Sequence, residues 1–430
     1  MDQTINLQQD GKPLAIRVDE GVRLWTTDKT AEIALSHGRY ADAVYEALLH
    51  PVDYPSVSSG VVPGDAVAIV LDAELPQPEI AVQGVMKALA GLELSRIDVI
   101  IGESASETVC QAVRDAIGTT ATLTIHSGKS RDDLRYLAAN EAADPIYLNR
   151  RIVDADLVIP VFVSRQADPL MVGSVYSPVF PSLADYRSQA RARIDGADVM
   201  TASDQKRVAA DDEATRVGWL LGLQWMVAIE VTADGHPSAA QAGTAESLVK
   251  RMSIDSAEDE PAIAAEVVIA AVEGSEANLA NVLRAAMVAR EFAASNASIV
   301  LVADIDDLGV AVPIDDEFFG NDDAASGLYD AEPGDEDTAS PLVGNIVSMN
   351  DHARHLLGTL VNDFDSSARF LLMSRCDEDQ TENFGFGYVK DAAALVRLIN
   401  SRRSCNVIRH AQWRAKNRRV DSNVAATKVR

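Results

Sequence analysis

Cysteine is scarce in this 430-residue chain: Cys110, Cys376 and Cys405 are far apart, odd in number and without metal-ligand spacing. That argues against a disulfide framework and fits free thiols in a reducing cytoplasm. No apolar run reaches the roughly 20 residues that a membrane-spanning helix needs. The N-terminus, MDQTINLQQDGK, has no basic segment followed by an apolar one, so no export signal is expected. Positive charge is also short. The net charge of −27 argues against nucleic-acid phosphates or anionic membranes as main partners. Histidine is rare as well, with seven in all and four before residue 256: His37, His50, His126 and His236.

What is present is enough for two cores. The composition is 47% hydrophobic, and the length suits two domains of ordinary size. Asp10-Gly11 between TINLQQ and PLAIRV predicts a tight hairpin, followed by a mostly helical region up to Pro51. AVAIVL (66–71) is wholly apolar, as a parallel strand covered on both faces should be. A helix follows with Pro78 in its first turn, Val82, Val85, Met86 and Leu89 on one face, and Gly91 at its end. IDVII (97–101) is the next strand, and SASE (104–107) reads as a capping box for a helix ended by Gly118. TLTIH (122–126) and DLVIPVFV (156–163) add two strands. Such doubly wound sheets bind ligands at the C-terminal ends of their strands, where Asp72, Gly102 and Ser164 fall.

A second α/β pattern follows the polar stretch SIDSAEDEPA (253–262). Its strands are EVVIAAV, SIVLVAD, RFLLMS and NVIR, with helices carrying Leu279, Val282, Leu283 and Met287, one near 351–362, and one carrying Leu395, Leu398 and Ile399. Residues 304–337 hold thirteen Asp/Glu and no Lys or Arg. Residues 401–430 carry a net +8, leaving about −35 for the rest (−27 less +8).

The order of elements, together with VLDAELPQP, LNRRIVDADLVIPVFV, GWLLGLQWMVAIEVTADG and EVVIAAVEGSEANLANVLRAAM, resembles the nickel-dependent lactate racemase family. The resemblance covers roughly residues 4 to 310 and more loosely the remainder. It implies two α/β domains with mostly parallel sheets and a cleft between them that encloses a nickel-pincer nucleotide. It also implies a lysine tether, a nickel-ligating histidine, two histidines as acid and base, and hydride transfer to the pincer ring. Proton exchange at a hydroxyl from both sides wants two bases near neutral pKa, which imidazole supplies. An arginine or lysine would hold the substrate carboxylate.

The chain departs from that pattern where the chemistry sits. Against the family's D-H-T-R-P-x-P, this sequence has DAELPQP: Asp72, Pro76 and Pro78 match, but Ala73 replaces the histidine and Leu75 the arginine. The base expected after the second strand is missing near Ala105. In SRQADPLMVGSVYSP (164–178), Gln166 stands for a histidine and Tyr176 for the tethering lysine. SLADYRSQARARIDG (182–196) has no histidine to ligate nickel, and Ala285 matches a family lysine. The candidate pocket residues are Asp72, Glu74, Arg165, Gln166 and Tyr176, with Arg165 as a carboxylate holder. Read blandly, Asp72 forms a turn and Arg165 is a surface arginine. Catalytic residues stay unassigned.

Weaker candidates are His352 and His355, one helical turn apart, where a solvated helix start is the plainer reading. The acidic loop lacks the glycine and alternation of a calcium-binding loop, and NFGFGY (383–388) reads as a turn. The sequence therefore predicts a cytoplasmic protein with an N-terminal α/β domain over 1–255 and a C-terminal one over 256–410 with an acidic insertion at 304–340. A basic tail, 411–430, could dock on acidic surface and support a homo-oligomer. No cofactor or metal is expected. The expected function is a lactate-racemase-like pseudoenzyme whose cleft takes a small polar or acidic ligand. The alternative is an active racemase or epimerase of a 2-hydroxy acid or sugar acid with a rebuilt site.

Overall fold

The computed structural model describes residues 3–9, 12–27, 33–72, 74–103, 105–164, 174–189, 213–232, 234–255, 263–273, 278–306, 308 and 369–413. The chain begins with β1 (Gln3–Gln9) and β2 (Lys12–Val18), antiparallel with Gln9 opposite Lys12. They are followed by β3 (Arg23–Thr27) and α1 (His37–Leu49). β4 (Ala66–Leu71), α2 (Pro78–Leu89), β5 (Arg96–Gly102), α3 (Glu107–Ile117) and β6 (Thr122–His126) wind the first sheet outward. β7 (Leu134–Ala139) and β8 (Pro145–Asn149) form a separate hairpin, and α4 (Arg150–Val153) leads into β9 (Leu157–Val163). β10 (Met226–Val231) and β11 (Pro237–Gly243) complete the sheet, and α5 (Ala245–Asp255) follows.

The six strands lie in the order β11-β10-β9-β4-β5-β6, all parallel except the β10–β11 pair. Every residue of β4 is buried. Val67, Ile69 and Leu71 point into the core built with α1, α2 and α3, while Ala68 and Val70 point into the core on the other face. α1 and α2 approach so closely that a Cβ at Gly84 would lie 2.5 Å from the Ala41 carbonyl oxygen and 2.6 Å from Val44 Cβ.

The second sheet runs through β12 (Ala265–Val272), α6 (Leu279–Glu291), β13 (Ala293–Ala303), β14 (Arg369–Met373), α7 (Glu378–Phe384), β15 (Gly387–Tyr388), α8 (Ala392–Asn400) and β16 (Ser404–Ile408). Its order is β15-β14-β13-β12-β16-β3, parallel throughout. Two α/β layers with mostly parallel sheets are therefore present, as the sequence predicts. Each sheet reverses direction at one point: between β4 and β9 in the first, and between β12 and β16 in the second. Those are the places where such sheets open crevices at their C-terminal strand ends.

The start of the chain serves the second sheet. β3 is its edge strand, and Ile5, Leu7, Ile16, Val18 and Val22 pack with Val267, Ile269 and Leu395. Arg23-Leu-Trp-Thr-Thr, polar and short, was legible only as part of a helical stretch, because an edge strand needs no continuous apolar run. Three other local readings change. The cap of α3 is Ser106, which accepts from the Val109 N–H at 3.3 Å, and Ser104 lies outside the described residues. In NFGFGY, Phe384 ends a helix, Gly385 caps it at φ +111°, and Gly387-Tyr388 is an edge strand. The helix near 351–362, with His352 and His355, the loop 309–340 and the tail from 414 lie outside the described residues.

The two sheets meet through the last described turn. Trp413, just past β16, packs against the first sheet's helical face. A Cβ on Gly235, in the β10–β11 turn, would fall 2.3 Å from Trp413 Nε1, and Gly235 has φ +79°. Gly235→Ala therefore meets both a steric and a backbone penalty. We expect a loss of about 1–3 kcal/mol, measured as a lower urea midpoint with unchanged slope.

Candidate functional site

The loop after β4 is organised by Asp72. Its N–H donates to the Val161 carbonyl oxygen (3.0 Å), extending the β4–β9 ladder by one residue. Its Oδ1 accepts the Glu74 N–H (3.0 Å), and its carbonyl oxygen accepts the Leu75 N–H (3.1 Å). This is an aspartate closing a turn on its own backbone. Leu75 is buried in the core beneath α1 and α2. The Tyr40 hydroxyl donates to the Pro76 carbonyl oxygen (3.3 Å), Gln77 takes a left-handed φ of +51°, and Pro78 opens α2. Ala105, where the family-like base would stand, packs partly buried against the same core.

Glu74 reaches the other way, to the second sheet. Its Oε1 lies 2.7 Å from Arg284 Nη1, in the second turn of α6. The Arg284 side chain is only 6% exposed, and its Nη1 also donates to Asn281 Oδ1 at 2.8 Å. Asn281 in turn donates its backbone N–H to the capping Asn278 side chain (2.9 Å). Removing one member of such a pair leaves an uncompensated charge, at a cost of about 3–5 kcal/mol when both are deeply buried. Glu74, at 26% exposure, moderates that figure.

The other sequence candidates go elsewhere. Arg165 and Gln166 lie outside the described residues. Tyr176 sits in the turn Ser174–Tyr176 with its ring against Gly218, where a Cβ would be 2.3 Å from Tyr176 Cε1. It packs with Val175 and Val179 on the sheet face opposite α1 and α2, and burial pushes its phenol above the usual value. Asp72 and Glu74 share one loop, while Tyr176 is a packing residue under a helical glycine.

The second sheet's reversal point holds a constellation that the sequence reading did not single out. Glu273 follows β12 with a fully buried side chain. Its Oε2 accepts from Arg409 Nε and lies beside His410 Nε2, both at 3.0 Å and both just past β16. Gln412 Nε2 donates to the Glu273 carbonyl oxygen. His410 has φ +48°, an uncommon backbone state for a side chain of its size. Among the described residues, its buried Nδ1 has no hydrogen-bond partner. Burial holds the His410 imidazole below its usual pKa, against the pull of Glu273 and Asp234. The signal was in the sequence: Glu273 ends an apolar strand just as Asp72 does.

His126 ends β6 as a satisfied core histidine. Its Nε2 donates to the Ala184 carbonyl oxygen (3.0 Å), so Nδ1 accepts from Asn149 Nδ2 (3.2 Å). Burial lowers its pKa. The folded chain therefore binds fewer protons than the unfolded chain once pH falls below about 6.5. Stability is lost as pH drops from there toward the folded value. In urea titrations from pH 7.5 to 5, His126→Gln, which does not titrate, should show a flatter decline than the parent; the slope that persists belongs in part to His410.

Cys110, Cys376 and Cys405 are free and buried, and burial pushes the Cys405 thiol up to about 12. They are packing residues rather than nucleophiles. Among the described residues no helix is long and apolar enough to cross a membrane.

The paired doubly wound sheets, with polar groups at both reversal points, define an α/β protein built on two six-stranded, mostly parallel sheets. Residues 16–163 match the lactate racemase N-terminal domain family. The lactate racemase apoprotein from Thermoanaerobacterium thermosaccharolyticum superposes with a TM-score of 0.70 at 11% identity, covering 96% of this chain and 100% of that one. A Thermotoga maritima protein superposes with a TM-score of 0.56 at 10% identity, covering 85% of this chain and 94% of that one. A sequence search of curated proteins gives no match. The family match thus covers residues 16–163, and the likeness to the two solved structures is one of fold over most of the chain.

Proposed function

We propose that this chain is a lactate-racemase-like protein that has lost nickel-pincer racemisation and keeps a cleft between its sheets for a small polar or acidic ligand. The loop after β4 carries the reading. Asp72 closes a turn, Leu75 is a core residue, and Glu74 is paired with Arg284. None of these presents an imidazole or a guanidinium from that loop. The residues present do not fit the pincer nucleotide. At the tether position stands Tyr176, whose phenol cannot supply a lysine amine and whose ring is packed against Gly218. Arg284 supplies the cation that an acidic ligand would need, from the opposite domain.

The test is nickel content after co-expression with the enzymes that build the pincer cofactor. We expect well below one nickel per chain. About one per chain, with interconversion of lactate enantiomers, would overturn the proposal.

A second reading rests on the Glu273–His410–Arg409 constellation, which favours a rebuilt site for a 2-hydroxy acid or sugar acid. A fully buried carboxylate orients the imidazole, and the arginine beside it could hold an anion. Under this reading polarimetry with 2-hydroxy acids detects slow racemisation that Glu273→Gln and His410→Gln each lower by at least tenfold. Absence of turnover in the parent chain removes it.

A further inference from the structure

We propose that Glu74 is an internal occupant of an anion site on Arg284, and that a small carboxylate reaches this arginine only by displacing it. The inference rests on the reading that the junction between the sheets takes an acidic ligand, and it names the residue and the control of that site.

The two partners differ in how firmly they are held. Arg284 rises from a regular helix, is 5% exposed, and is braced by Asn281, itself 7% exposed and fixed through the Asn278 cap. The guanidinium is thus a preorganised cation, and its planar donors suit a carboxylate. Glu74 stands on a short turn between Asp72 and Pro76 and is the partner that solvent reaches, at 26% exposure against 6% for Arg284. Rotation about its side-chain bonds would withdraw the carboxylate without disturbing the Asp72 turn or the burial of Leu75. The cation is fixed and the anion is replaceable. Since the anion that now fills the position is a carboxylate, the same chemistry is what the site would accept from outside.

The competition has a definite sense. A tethered carboxylate acts at an effective concentration on the order of millimolar or more. An external carboxylate therefore binds with an affinity reduced by the fraction of time that Glu74 is withdrawn. Neutralising Glu74 lifts that reduction while leaving Arg284, Asn281 and the helix in place. Small acids then bind more tightly to the variant than to the parent chain, the reverse of what loss of a ligand-contacting residue produces.

The experiment is calorimetric titration of sodium lactate into the full chain and into Glu74→Gln, Glu74→Asp and Glu74→Gln/Arg284→Met, with sodium chloride at matched ionic strength as the blank. We expect Glu74→Gln to bind lactate at least tenfold more tightly than the parent. Glu74→Asp, with its charge kept but its reach shortened by one methylene, should fall between them, and it carries the test if the glutamine variant does not fold. The doubly substituted chain should show no saturable binding. Equal affinity in the parent and the single variants overturns the proposal, as does binding that persists without Arg284. Nickel content of the parent preparation tells the two ideas apart. Nickel uptake with the Glu74→Gln gain intact removes the loss of pincer chemistry but not the displaced carboxylate. A nickel-free parent with no gain in the variants removes the displaced carboxylate alone.

Discussion

A buried guanidinium must have an anion beside it, and much of the junction between the two sheets follows from where Arg284 finds one. The cost of moving such a charge out of water is several kcal/mol even after relaxation. Arg284 meets it with Asn281 from its own helix and Glu74 from the loop after β4. The contact holds the loop after β4 toward α6, and the same loop turns through Gln77 into α2. A second, apolar contact at Trp413 and Gly235 closes another part of the junction. The polar contact is directional but exposed on one side; the tryptophan contact is close-packed and tolerates no added atom. Together they specify how the two sheets face each other better than either would alone.

Both sheets place a carboxylate just past the strand at which their winding reverses, and they satisfy it in opposite ways. Asp72 accepts a backbone N–H from its own loop and so becomes part of the turn. Glu273 accepts from side chains that arrive on the neighbouring strand, Arg409 and His410. A carboxylate held by its own backbone is committed to shape. One held by titratable side chains stays coupled to proton and ligand chemistry. Position in the fold is the same, so the difference in potential lies wholly in the partners.

Much of the architecture was legible because fully buried parallel strands leave a strong mark. AVAIVL, DLVIPVFV and EVVIAAV could hardly be anything else, and all three are central strands. Edge elements left a weaker mark. β3 alternates too little to be seen, and none of β7, β8 and β11 is buried along its whole length, so their pairing depends on neighbours that no local pattern encodes. The candidate site was read only in part. Asp72 and Glu74 were found from their place after a strand. The partner of Glu74 was not, since a residue 210 positions away is joined to it by tertiary packing alone. Tyr176 was placed in a pocket by resemblance, whereas its ring fills a space above Gly218. Glu273 was missed although the same strand-end argument applies to it.

The strand-end motif divides into positions that shape the backbone and positions that do not. The positions that match the racemase-like pattern, Asp72, Pro76 and Pro78, are those that shape the backbone: an aspartate turn, a carbonyl that accepts from Tyr40, and a proline at the first position of α2. The positions that differ, Ala73 and Leu75, are those that would carry an imidazole and a guanidinium. Leu75 adds buried apolar area to the core under α1 and α2, worth on the order of 2 kcal/mol for a fully buried leucine. A guanidinium at that point would have to be desolvated or turned outward. The leucine found there stabilises the fold by its burial. Leu75 thus ties the loop to the core of the first sheet, and the backbone turn made by Asp72 does not depend on it.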